Sequence, residues 1–147
     1  MILVDVNVLV YAHREDAVDH ERFRTWLERA TGSDAAYGMS ELVLSGFLRV
    51  VTHPRVFADP TPPVRALAFC AALRGRGNCV TVRPGASHWR IFDRLVRDAD
   101  AKGSLVPDAY LAALAIEHGC EWVTTDRDFA RFDGLRWSHP LRARDAS

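Results

Sequence analysis

Two short apolar runs, each closed by an aspartate, constrain this chain more than any other feature: Ile2-Leu3-Val4 before Asp5, and Glu121-Trp122-Val123-Thr124-Thr125 before Asp126. The first is too short for a helix and lacks the apolar–polar alternation of a strand with one wet face, so it reads as a strand covered on both sides. Ala35 to Met39, Cys79 to Val82 and Leu135 to Trp137 are further strand candidates. Helical patterns lie between them. Phe23, Trp26, Leu27 and Ala30 recur at helical spacing before Gly32, and Ser40 opens an apolar segment from Glu41 to Thr52 that reads as a buried helix. Val64 to Leu73 forms a third helix. Ser87 opens a fourth, with Trp89, Phe92, Val96 and Ala99 facing inward, and Pro107 sits in the first turn of a fifth, Asp108 to His118. Strands alternating with helices call for an α/β fold, a three-layer α/β/α sandwich on a mostly parallel sheet with right-handed crossovers. In such a sheet, ligands sit at the carboxyl ends of the strands.

The chain has 147 residues, enough for one domain spanning 1–147. The proline-dense stretch Asp59-Pro60-Thr61-Pro62-Pro63 is a turn within it. Three cysteines (Cys70, Cys79, Cys120) form no C-x-x-C pair, which argues against a disulfide framework or a zinc site and fits a reducing cytosol. Asp5 interrupts the first apolar run too early for a signal peptide, and no later run is long enough to span a membrane, so a soluble, cytoplasmic protein is expected.

Four carboxylates fall at strand-to-helix junctions: Asp5, Glu41, Asp108 and Asp126. Any one of them reads equally well as a helix cap or a complement to a helix dipole. Together, at one edge of a sheet, they repel each other unless a positive charge joins them. Oxygen-only ligands without clustered His or Cys point to Mg²⁺ or Mn²⁺, and such an ion can polarise a phosphodiester and activate water. The charge balance agrees. The chain carries 19 Lys plus Arg and 19 Asp plus Glu; with these four acids set aside, 19 cations face 15 anions. Lys102 is the only lysine, which leaves 18 arginines, the side chain suited to forked phosphate contacts. Arg14, Arg49, Arg55, Arg127, Arg131 and Arg136 lie near the acidic segments; Arg14 and Arg127 are the chosen candidates for gripping RNA. The six histidines are scattered and read as caps, surface groups or core hydrogen-bonders.

At these residues the sequence resembles the PIN-domain ribonucleases of the VapC toxin type. The resemblance rests on Leu3-Val4-Asp5-Val6-Asn7-Val8-Leu9, Ser40-Glu41-Leu42, Asp108-Ala109-Tyr110-Leu111-Ala112-Ala113-Leu114-Ala115 and Thr124-Thr125-Asp126-Arg127-Asp128-Phe129. It implies Mg²⁺-dependent RNA cleavage, a homodimer, and neutralisation by a cognate antitoxin, which would bind a groove beside the site and present an arginine to the carboxylates. It further implies that Asp5 and Asp108 are the principal metal ligands, completed by Glu41 and Asp126. Asn7, two residues after the first acid, is expected either to orient Asp5 or to cap a helix. Asp128 is expected to reach the site only indirectly, because two helical steps rotate it by about 200° from Asp126. The helices carrying Phe23, Trp26, Phe69 and Leu73 are expected to offer apolar surface to partners.

Haloacid-dehalogenase-like phosphatases and receiver domains fit less well, since both need a lysine near the site and Lys102 lies far from any strand end. A structure-specific flap nuclease would need clamp segments for which the chain has no room. The remaining alternative is a non-catalytic PIN-like module that binds RNA or protein; retention of all four acids opposes it.

Overall fold

A computed structural model describes residues 1–142, so the last part of the expected single domain, 143–147, lies outside the described residues. Five strands form one parallel sheet: β1 (Ile2–Val4), β2 (Tyr37–Met39), β3 (Cys79–Thr81), β4 (Glu121–Val123) and β5 (Trp137–Ser138), in the order β3-β2-β1-β4-β5. Leu3 faces Gly38 in β2 and Trp122 in β4, and β1 is the middle strand, which is why its run has no polar position. Six helices surround the sheet: α1 (Val6–His13), α2 (His20–Gly32), α3 (Glu41–Val51), α4 (Pro63–Arg74), α5 (His88–Ala99) and α6 (Leu105–Glu117).

Chain direction assigns them to two layers. The steps β1 to β2 and β2 to β3 move one way along the sheet, and β3 to β4 returns the other way. With right-handed crossovers, α1–α4 cover one face and α5–α6 the other. The contacts agree, with α1 packing on α2 and α3, α3 on α4, and α5 on α6. The connection direction reverses between β1 and β4. That crevice is where an open α/β sheet binds ligands, and Asp5 and Asp126 flank it.

Several expectations need correction. No helix was read at 6–13, where Val-Asn-Val-Leu-Val-Tyr-Ala-His forms α1; it buries Val8, Leu9, Val10 and Ala12, so its pattern is apolar nearly all round and carries no helical period. α3 is not wholly buried: Leu42 is 51% exposed, and Glu41, Ser45 and Arg49 face solvent, leaving Val43, Leu44, Phe47 and Val51 as the core stripe. The inward face of α5 is His88, Ile91 and Leu95, with Phe92, Val96 and Ala99 partly buried beside it, while Trp89 is 68% exposed. α6 begins at Leu105, so Pro107 still falls among the first-turn positions that need no N–H. Phe23 and Leu73 are buried, and Phe69 stacks on Phe47 at 4.9 Å, so this group belongs to the core more than to a partner surface.

The six histidines behave as expected. His13 meets Thr61, His20 the Tyr11 carbonyl, His88 the Tyr110 carbonyl and His118 the Arg83 carbonyl, while His53 and His139 accept local backbone N–H groups. The cysteines are free. Among the described residues no helix is long and apolar enough to cross a membrane.

Close backbone approach fixes Gly38 in β2. A Cβ there would lie 2.8 Å from Val82 Cγ2 and 3.3 Å from the Ile2 carbonyl oxygen. Gly38→Ala should therefore lower stability by about 1–3 kcal/mol through overpacking, outweighing the roughly 0.5–1 kcal/mol of backbone entropy that alanine recovers. Chemical denaturation of both proteins checks this, and an unchanged midpoint would show that β2 and β3 can separate freely.

Candidate active site

Asp5 is the N-cap of α1 and is only 6% exposed. Its own N–H donates to the Val123 carbonyl at 2.9 Å, which ties the end of β1 to β4. Oδ1 accepts from the Val6 N–H at 2.7 Å, and Oδ2 accepts from the Thr124 hydroxyl at 2.7 Å and the Asn7 amide at 3.3 Å. Burial pushes this carboxyl above its usual range, these hydrogen bonds pull it back, and the Asp126 charge adds to the upward push.

Thr124 is the joint of the site. Completely buried, it donates to Asp5, accepts from the Asp126 N–H at 3.0 Å, and lies 3.4 Å from the Asn7 amide. Asn7 also accepts from the Thr125 N–H at 3.3 Å. Asn7 therefore orients Asp5, and the cap itself is Asp5. Sequence reasoning assigned Thr124 no role. The available signal was a hydroxyl residue next to a strand end, in the segment paired with the strand that carries Asp5.

Strand β4 ends at Val123, earlier than expected, and Asp126 caps a short 3-10 helix (Arg127–Arg131) by accepting from the Asp128 N–H at 2.9 Å. Asp128 is exposed, with Arg131 3.9 Å away.

Asp108 approaches from the other helical layer, one turn into α6. It is half-buried, and among the described residues its carboxylate meets no hydrogen-bond donor and no cation. Burial first, then the Asp126, Asp5 and Asp128 charges, push it up to about 6. Asp5, Asp108 and Asp126 line one cleft of about 580 Å³ with Asn7, Ser45, Arg49 and Phe57.

Glu41 does not join them. It starts α3 at the same sheet edge, but its carboxylate accepts from Arg83 Nε at 2.9 Å and lies 3.6 Å from Arg74, on the rim of a neighbouring cavity. Two arginines from the β3 side outbid a cleft that already holds three carboxylates. Arg14 is also not free to hold RNA. Its guanidinium pairs with Asp16 at 2.6 Å, donates to the Asp59 carbonyl at 2.7 Å, and covers the Phe57 ring at 4.1 Å. Arg127 is exposed and makes no hydrogen bond or ion pair among the described residues.

The donors are hard oxygens surrounded by like charge, with an unpaired carboxylate in Asp108, and that set fits a divalent cation. Among the described residues no group of three or more His, Cys, Asp or Glu side chains is gathered closely enough to hold a metal ion by itself. An open acidic cleft suits Mg²⁺, which keeps several waters and binds through one or two carboxylates plus substrate phosphate.

The comparisons show the family and the fold. The PIN domain family model matches residues 2–135. Ribonuclease VapC43 of Mycobacterium tuberculosis is 48% identical over 141 residues, covering 96% of each chain. In fold the chain is similar to VapBC2 from Rickettsia felis, solved bound to a DNA fragment from their promoter (TM-score 0.69, 16% identity, 95% and 98% covered), and to a toxin-antitoxin complex from Klebsiella pneumoniae (TM-score 0.62, 18% identity, 97% and 100% covered). A cleft of aspartates at the switch point of a parallel sheet, on a chain this close in sequence to a VapC ribonuclease, places the protein in the PIN-domain family, among the VapC ribonucleases.

Proposed function

We infer that this chain is the toxin of a type II toxin–antitoxin pair, an endoribonuclease that hydrolyses RNA phosphodiester bonds. We further propose that it acts in the cytoplasm as a homodimeric single-domain protein, with Mg²⁺, or Mn²⁺ in its place, held by Asp5 and Asp108 and completed by Asp126. The observation that carries the metal reading is Asp108: a half-buried carboxylate that meets no donor or cation among the described residues, raised to about 6 by burial and then by the neighbouring acids, is an anion left uncompensated. A module that only bound RNA would gain from losing that charge. The antitoxin partner is supported by the complexes among the solved structures of the same fold.

A divalent cation bound there polarises the scissile phosphodiester and lowers the pKa of water. The chain's own residues supply rigidity and charge. Val6 N–H, Thr124 and Asn7 fix both oxygens of Asp5, filling Oδ2 with two donors and leaving a lone pair free on Oδ1. Asp126 is held at the end of β4 by its backbone bond to Thr124 and by its cap on the following turn. Glu41, the fourth ligand the resemblance implies, is paired with Arg83 and Arg74 and would have to leave them to join the ion.

Generic RNA incubated with the purified protein should be cut in Mg²⁺ or Mn²⁺ and spared in chelator. Asp5→Asn and Asp108→Asn should each reduce cleavage by more than the roughly 10–100-fold that follows loss of an outer hydrogen-bond partner. Undiminished cleavage in chelator overturns the metal reading.

The acid limb follows from Asp108. Its carboxyl is pushed up to about 6 in the native state against 3.8 for an ordinary aspartate, so the native chain holds more protons than the unfolded one between those values. Stability of the metal-free protein therefore falls as pH rises through that window. Cation affinity runs the opposite way and weakens below about 6. Asp108→Asn, which removes the buried charge, should unfold at a higher temperature than the metal-free parent at pH 7.5 while failing to cut RNA. A lower melting temperature would mean that the carboxylate has a stabilising partner.

Asp126→Ala should cost more activity than Asp128→Ala, since Asp126 lines the cleft and Asp128 faces solvent. Parallel RNA cleavage and Mg²⁺ affinity measurements decide between them, and greater damage from Asp128→Ala would reverse the assignment.

A further inference from the structure

The acidic cleft has a second end that the metal reading does not use. It runs along α1 and α3, which approach closely because residue 46 is glycine: a Cβ there would lie 2.9 Å from Val6 Cγ2. The α3 wall is Leu42, Ser45, Gly46, Arg49 and Val50, a stripe at helical spacing. Asp5 stands at the start of α1 and Leu42 at the start of α3. Arg49 comes seven residues after Leu42, about 10 Å further along the helix axis. Tyr11 takes the matching position on α1, and Phe57 closes that end from the loop after α3.

Arg49 is exposed and makes no hydrogen bond or ion pair among the described residues, although it shares a cleft with three carboxylates. After burial, acidic charges raise two of these carboxyls: Asp126 acts on Asp5, and Asp126, Asp5 and Asp128 act on Asp108. Beside Arg49 the Tyr11 hydroxyl is also without a hydrogen-bond partner among the described residues. The Phe57 ring is fixed: Arg14 covers it at 4.1 Å and is itself tied down by Asp16 and the Asp59 carbonyl. A free guanidinium beside a fixed aromatic ring and an open hydroxyl matches one nucleotide unit, with phosphate on arginine and base against the ring. A protein partner would find the same arginine, but the ring fixed beside it offers a stacking surface for a base.

We propose that Arg49 binds the RNA phosphate next to the scissile one, and that Tyr11 and Phe57 receive the adjoining base, making this end of the cleft the specificity-determining subsite. The proposal rests on the ribonuclease reading above and deepens it. Arg14 then acts through Phe57 as a positioning residue and touches no phosphate.

The test uses the full chain with Mg²⁺ and short single-stranded RNAs differing at one position. Arg49→Gln should raise KM on the order of tenfold, leave Mg²⁺ affinity unchanged, and make binding less salt-dependent by about one counterion. Arg49→Lys, which keeps the charge but not the fork, should fall between. Phe57→Leu should alter the ranking of the oligonucleotides more than the rate on the best of them. Wild-type KM and salt dependence in Arg49→Gln overturn the proposal, as does a matching loss of Mg²⁺ affinity, which would mark a structural role. Unchanged RNA kinetics with loss of the protein partner's binding would give the surface to that partner and overturn it too. Failure of the parent protein to cut any RNA strikes the ribonuclease reading instead; fluorescence anisotropy with the same RNAs then tests Arg49 separately, and equal affinities of parent and Arg49→Gln overturn its role.

Discussion

Repulsion among aspartates held at one edge of a parallel sheet is the constraint on which the rest of the site depends. The backbone imposes it. β1 and β4 pair directly, Asp5 follows one and Asp126 comes just after the other, and the Asp5 N–H is bonded to the Val123 carbonyl. Neither residue can retreat without breaking that junction. Asp108 arrives from α6 in the opposite layer, and among the described residues no cation meets it. Folding thus stores an unfavourable electrostatic interaction where a divalent cation would relieve it.

Thr124 shows how the sheet bears this cost. Its hydroxyl serves the Asp5 carboxylate and the Asp126 backbone at once, and Asn7 braces both strands from α1. The same economy governs the arginines. Arg83 and Arg74 occupy Glu41, and Arg14 locks the loop carrying Phe57, while Arg49 has no partner in the cleft among the described residues. Which cation faces substrate is decided by which ones the fold has already paired.

Much of this was legible in the sequence where a residue type and its position carry one meaning. The run Ile2-Leu3-Val4 reads as a strand covered on both faces, and the aspartates at positions 5 and 126 had to share an edge once the sheet was parallel. Asp108 was readable because the small residues behind it allow α6 to pack closely. Less legible was what depends on competition among partners. Glu41 stands at the sheet edge as its position implies, but its carboxylate is paired with Arg83, just after β3, and Arg74, at the end of α4, both far along the chain. Arg14 looked free until the proline-rich turn folded back on it. α1 was invisible because a helix buried nearly all round has no period, and α5 slipped in phase because Trp89, the most apolar-looking residue of its face, points to solvent.

Calorimetric titration of the metal-free protein with Mg²⁺, in buffers of different ionisation enthalpy at pH 6 and pH 8, measures the stored repulsion most directly. Binding at pH 6 should release a fraction of a proton, because Asp108 is partly protonated near that pH. At pH 8 the release should vanish and the affinity rise. In Asp108→Asn the release should be absent at both values. Proton release that persists in Asp108→Asn, or Mg²⁺ binding indifferent to pH and to the loss of this carboxylate, would contradict the account.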